Sequence, residues 1–247
     1  MADVRRRRVR MQYGAMADAR DAWGEAARWY PEVVAVGDVR RAWQAEFDRI
    51  GLPLGPCTRQ SVSPHRVATV EHGELRADLL LSPWERKFYL ALRAGRSTLL
   101  QGHATDLAAA AGAARLWLSG ARPGQVAAVW PFLGSVALAE ARERGDRRES
   151  SWLWLYENHC ADPVGTRLRS FLAVAFHEPR LRALRPYTSH WTLCFSREPE
   201  WPFCRDLPMV DPAETPDRYV VRTRDGRVHD ETDAARALRL VLAELPD

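Results

Sequence analysis

Apolar positions along the chain follow two periods. From Val39 the apolar residues Val39, Trp43, Phe47 and Ile50 recur at three- and four-residue steps. That spacing predicts one face of a helix, with Asp38 as its N-cap and Gly51 as its stop. Between Arg66 and Gly102 the period changes to two, in short runs over 66–71, 74–81, 86–93 and 97–101. In the third run Phe88, Leu90 and Leu92 alternate with Lys87, Tyr89, Ala91 and Arg93. Such alternation sets one face on a core and one in water, and the short links predict an antiparallel meander. A segment from Leu107 to Leu118, apolar nearly all round, predicts a helix buried on that sheet, capped by Thr105 or Asp106.

The middle of the chain reads as helical, in segments over 123–129, 132–144, 149–160 and 163–177, with one more turn over 179–184. Residues 190–196 return to alternation and predict a strand. Residues 198–217 hold five prolines and no period, so they predict a long irregular connection. At the end come a strand over 219–222, a turn at Asp225-Gly226, a return strand at Arg227-Val228 and a helix from Asp233 to Leu245. The expected class is therefore α+β: a four-stranded antiparallel meander packed by a buried helix, a helical middle region and a C-terminal ββα unit. The expected divisions are a basic flexible leader over 1–16, a main domain over 17–197, a Pro-rich connection over 198–217 and a terminal unit over 218–247.

The composition is that of an ordinary globular protein, with 28% charged and 46% hydrophobic residues. No apolar run reaches the length of a membrane span and no secretory leader is visible, so a soluble cytoplasmic protein is expected. Formal net charge is +4. Five arginines against Asp3 within residues 1–10 account for all of it, and a neutral body argues against a nucleic-acid binder. Basic usage is lopsided: the 36 Lys and Arg residues include a single lysine, Lys87. Arg and Ala codons are GC-rich, which points to a high-GC bacterium. Cys57, Cys160, Cys194 and Cys204 lack zinc-ligand spacing and read as small buried hydrophobes.

Several strings resemble an actinobacterial family of unknown function described only as natural-product biosynthesis proteins. They are Tyr30-Pro31-Glu32-Val33, Gly102 to Leu107 with the Ala-rich helix up to Trp117 and Gly120, Pro179 to Pro186, Ser189-His190, and Leu193 to Arg197. The terminal strand-turn-strand-helix fits as well, and the resemblance spans roughly 26–246. It implies a bacterial cytosolic protein of secondary metabolism and brings no catalytic residues with it.

Nucleotide-binding glycine loops, serine-hydrolase elbows and zinc-protease helices are absent from the sequence. The leading expectation is a cofactor-independent enzyme acting on a small molecule by acid–base condensation, cyclisation or isomerisation, with no cofactor and no metal. His159 and His103 are the candidate proton carriers and Glu157 an alternative base. Trp154, Arg197, His190, Thr105 and Asp106 are the candidate substrate contacts. Ten tryptophans suggest an aromatic-lined pocket. The rival expectation is a non-enzymatic binding or interaction protein: a carrier, an adaptor or a toxin-neutralising protein. Weak nucleic-acid association through the Arg tail is a third. A homodimer is compatible with the sequence.

Overall fold

The computed structural model describes residues 28–51, 65–158, 165–204 and 206–245. The basic leader, the connection after Gly51, Cys57, His159 and Cys160 lie outside the described residues. The chain divides into two compact units, Met1–Ser135 and Val136–Asp247. Among the described residues no helix is long and apolar enough to cross a membrane.

The first unit begins with α1 (Pro31–Val36) and α2 (Val39–Arg49). Pro31 at the first turn costs no hydrogen bond, because that N–H has no helical partner anyway. Asp38 caps α2 as expected, accepting the Arg41 N–H at 2.8 Å. Val39, Trp43 and Phe47 on its inner face are fully buried.

The expected meander follows as β1 (Val67–His72), β2 (Leu75–Leu81), β3 (Phe88–Ala94) and β4 (Ser97–Ala104), all antiparallel and in sequence order. Gly73 and Gly95 each stand at positive φ in two-residue hairpin turns, the conformation those turns require. Ala68, Val70, Leu79, Leu81, Phe88, Leu90 and Leu92 are buried on one face. There α3 (Leu107–Leu118) crosses the sheet, its Ala110, Ala111, Ala113 and Ala114 wholly buried. Small side chains let that helix approach closely. The indole of Trp117 fixes its end by donating to the Arg93 carbonyl at 3.2 Å. α4 (Pro123–Val129) and a 3₁₀ turn (Pro131–Leu133) close the unit against β4. Two glycines lie against close neighbours here, and main chain makes the first of them obligatory. A Cβ on Gly102 would stand 1.7 Å from the Phe132 carbonyl oxygen, and one on Gly112 would meet the Trp130 ring at 2.6 Å.

The second unit holds α5 (Val136–Glu143), α6 (Arg147–Asn158), a 3₁₀ turn (Gly165–Leu168), α7 (Arg169–Ala175) and α8 (Pro179–Arg182). A five-stranded antiparallel sheet follows, again in sequence order: β5 (Arg185–Ser189), β6 (Thr192–Ser196), β7 (Met209–Pro212), β8 (Arg218–Arg222) and β9 (Thr232–Asp233). α9 (Ala234–Ala243) ends the unit, capped by the Asp233 carboxylate on the Arg236 N–H at 2.8 Å. Trp152, Phe171, Phe195, Tyr219, Val221 and Val241 form its core. The buried Tyr219 hydroxyl accepts the Phe171 N–H at 3.1 Å at the start of α7, and burial raises its pKa.

The structure differs from the sequence reading in three places within this unit. The Pro-rich connection contains β7, which pairs through Val210 with both Leu193 and Val221. Arg185–Ser189, not anticipated as a strand, pairs along its whole length with β6. The expected return strand at Arg227-Val228 is reduced to one bridge, Arg222 to Val228, and the pairing partner of β8 is Thr232–Asp233 instead. All three segments are short and lack alternation. Their pairing comes from partners rather than from their own pattern.

Candidate functional site

The face of the first sheet turned away from α3 carries a row of polar side chains that includes the expected His103. Antiparallel register places Tyr89 directly opposite His103 and Ala91 opposite Gln101. The period of two puts all four on one face, while their neighbours Phe88, Leu90 and Ala104 point to the core. The Tyr89 and His103 rings stand 5.6 Å apart at 58°. The Tyr89 hydroxyl donates to Gln101 Oε1 at 3.1 Å. Lys87, one residue before β3, shares the parity of Tyr89 and pairs with Glu85 at 2.9 Å.

Electrostatics distinguish His103. The ring is exposed at the sheet surface, but the neighbours that cover part of it strip water from the charged form and lower its pKa below the usual imidazole value; the Lys87 ammonium lowers it further, against a smaller opposing pull from Glu85. At neutral pH the ring is therefore uncharged and able to accept a proton.

The loop between β2 and β3 that carries Glu85 and Lys87 is held from below. The fully buried Tyr30 phenol accepts the Lys87 N–H at 2.8 Å and lies 2.7 Å from the Glu85 carbonyl and 2.9 Å from that of Lys87. Burial is the largest cause of its raised pKa, so it is a neutral donor and acceptor across the physiological range. Arg86, over the Phe88 ring at 5.0 Å, binds Glu32 at 2.8 Å and ties the same loop to α1.

Further along the same face Asp78 is surrounded. It accepts from the Thr69 hydroxyl at 2.7 Å and from Arg76 at 2.6 Å, and Arg93 stands 3.2 Å away. This cluster is charge-compensated and fixes the middle of the sheet. Beyond it, at the turn end, an open depression of about 420 Å³ is lined by Glu71, Glu74, Arg76, Arg93 and Arg96 among others.

The other expected residues take several places. His103 lies inside β4 rather than in the loop after it, because that strand runs to Ala104. Asp106 is the α3 cap, accepting the Ala109 N–H at 2.8 Å, and Thr105 donates to it at 3.3 Å. In the second unit Trp154 packs half-buried against the core and Glu157 lies on the same helix, α6. His190 is exposed at positive φ in the β5–β6 turn. Arg197 is ion-paired with Asp206, and that hydrogen bond is the main reason the Asp206 carboxyl titrates below its ordinary range. His190 and Arg197 flank β6 at opposite ends, about 20 Å apart at strand rise, so they do not share a small ligand. Among the other tryptophans of this unit, Trp152 is core, while Trp191 and Trp201 are exposed. Trp201 touches Phe203 edge-on at 5.7 Å, Phe203 stacks on Tyr187 at 4.5 Å, and Arg185 lies over Phe203 at 4.8 Å.

Sequence reasoning missed Tyr89, Gln101, Lys87 and Tyr30. The alternation around Phe88 had already placed Lys87 and Tyr89 on the outer face. What it lacked was register, which alone says that Tyr89 opposes His103. Among the described residues no group of three or more His, Cys, Asp or Glu side chains could hold a metal ion.

A family model described as a family of unknown function (DUF6193) matches residues 148–247. The match covers the second unit from α6 onward and does not include the His103 face. Comparison with curated proteins and with solved structures finds no match.

Proposed function

We propose that the protein is a cytoplasmic enzyme of bacterial secondary metabolism that acts on a small molecule by acid–base chemistry and needs no cofactor. The observation that carries this reading is His103. An imidazole whose pKa is lowered by its surroundings stands with its ring 5.6 Å from that of Tyr89, whose hydroxyl donates to Gln101, and a Lys–Glu pair lies in the preceding loop. His103 accepts the substrate proton. The Tyr89 hydroxyl, its own proton donated to Gln101, accepts a hydrogen bond from the substrate. Lys87 and Glu85 supply fixed charges of both signs beside it. General acid–base catalysis by one positioned side chain contributes about 10²- to 10⁴-fold, which suits condensation, cyclisation or isomerisation. The bacterial setting rests on the sequence resemblance and on the preference for arginine over lysine, since the family match extends only to unknown function.

The test begins with native mass spectrometry of protein purified from its own host, to identify a bound molecule. Turnover of that molecule by the wild type and by His103→Gln is then compared. A loss of about 100-fold or more supports the reading. Unchanged turnover refutes it.

A second reading, a non-enzymatic binding protein, is favoured by the exposed Trp201 beside Phe203, Tyr187 and Arg185. It would be supported if Trp201→Ala weakened capture of a partner while His103→Gln did not.

A further inference from the structure

The one lysine of the chain stands at the corner of this same sheet face. Thirty-six basic positions are filled with arginine in every case but Lys87. Arginine keeps its charge at all working pH values and cannot act as an amine nucleophile, whereas lysine can. Lys87 is also not a loose surface residue. Its backbone N–H and carbonyl are both fixed on the buried Tyr30 phenol, its ammonium lies 2.9 Å from Glu85, and its side chain is 45% exposed, open to a ligand. Diagonal neighbours across antiparallel strands remain within reach of long side chains. Lys87 directly precedes Phe88, which pairs with Ala104, so continuing the strand parity sets it on the side of Tyr89 and His103, and its charge acts on the His103 ring.

We propose that Lys87 is the nucleophile of this site and that its substrate is an aldehyde or ketone, bound through a protonated imine. This rests on the acid–base reading above and names the substrate class. Neutral His103 takes one proton from the Lys87 ammonium. The Nζ lone pair forms the C–N bond at the carbonyl carbon, and the carbonyl π pair moves onto oxygen. That oxygen takes up the proton held by His103 and a second from Nζ, and leaves as water when the C–O bond breaks. The product is the lysine iminium. Ammonium plus carbonyl compound gives iminium plus water, so atoms and charge balance and no oxidant or reductant is consumed. Glu85 faces the resulting cation and stabilises it. The iminium then acidifies the adjacent carbon, the proton that His103 is placed to remove.

The test uses the full chain with acetaldehyde and, separately, pyruvate as carbonyl probes, trapped with sodium borohydride and read by peptide mass spectrometry. With one lysine in the chain, peptide mapping has only to separate Lys87 from the N-terminal α-amino group. Reductive alkylation at Lys87 is expected at least about tenfold faster than that of Nα-acetyl-lysine under the same conditions. It should vanish in Lys87→Arg and slow in His103→Gln, with circular dichroism unchanged in both. A Lys87 rate no greater than that of the free amino acid, or one that His103→Gln leaves untouched, overturns the proposal. The two failures are distinguishable. Untrapped Lys87 with His103-dependent turnover ends the imine alone, whereas turnover indifferent to His103→Gln ends the acid–base reading beneath it.

Discussion

Replacing Gly102 by alanine should be among the most damaging single-methyl changes in the first unit. Gly102 opposes Leu90 in the β3–β4 register and so points to the core face. There the backbone of the Pro131–Leu133 turn crosses the strand. An added Cβ would lie 1.7 Å from the Phe132 oxygen, 2.7 Å from its carbonyl carbon and 3.1 Å from Leu133 Cα. Real Cβ atoms essentially never come within 3.0 Å of a neighbour, so strand and turn must separate by more than about 1 Å. The obstacle is main chain on both sides, and no rotamer relieves it. Overpacking costs about 1–3 kcal/mol, and a rigid obstacle puts Gly102→Ala at about 3 kcal/mol. For a domain of about 100 residues that is a fall in Tm of about 12–24 °C. Gly112→Ala is the internal control. Its clash is with the Trp130 ring, which can turn aside, and alanine gains about 1 kcal/mol of helix propensity over glycine. Scanning calorimetry of the three proteins reads both effects. A Gly102→Ala melt within about 2 °C of wild type, or one milder than Gly112→Ala, would refute the close approach.

Three further outcomes follow from the same contacts. Tyr30→Phe removes the acceptor of the Lys87 N–H and a buried donor, and should cost about 1–3 kcal/mol in urea unfolding while loosening the loop that carries Glu85 and Lys87. Asp106→Ala removes the α3 cap and should cost about 1 kcal/mol by the same measurement, with turnover retained, because Asp106 serves the helix rather than the substrate. Since the folded state lowers the His103 pKa, the unfolded chain binds more protons there as pH falls through the ordinary imidazole value. His103 should therefore subtract stability below about pH 6.5 and none above it. Urea midpoints across pH 5–8 should show that slope in wild type and a weaker one in His103→Gln, and identical slopes would count against it.

The parts that were legible in the sequence are those whose own residues dictate them. Phe88, Leu90 and Leu92 could face only a core, and a helix as rich in alanine as Leu107–Leu118 could lie only against something. Asp38 and Asp106 announced their helices because a short carboxylate before an apolar run satisfies open N–H groups. The strands over 185–189 and 209–212 were hidden because Pro186 and Pro212 argue against strand, and a four- or five-residue strand is decided by its partners. Half of the candidate site was legible for the same reason. Parity showed that Lys87 and Tyr89 share a face, yet their distance to His103 depends on a register set by the Gly95 turn and by the shift between Leu92 and Arg93. Arg197 looked available for a substrate carboxylate until the loop brought Asp206 to it, a contact nine residues away that no local pattern encodes.

The joint role proposed for His103 and Lys87 depends on the two sensing one another. The most direct measurement is the titration of the His103 ring protons by NMR in wild type and in Lys87→Gln. The predicted result is a wild-type midpoint below the ordinary imidazole value that moves upward when the ammonium is removed. A midpoint at the ordinary value, unmoved by Lys87→Gln, would contradict the account.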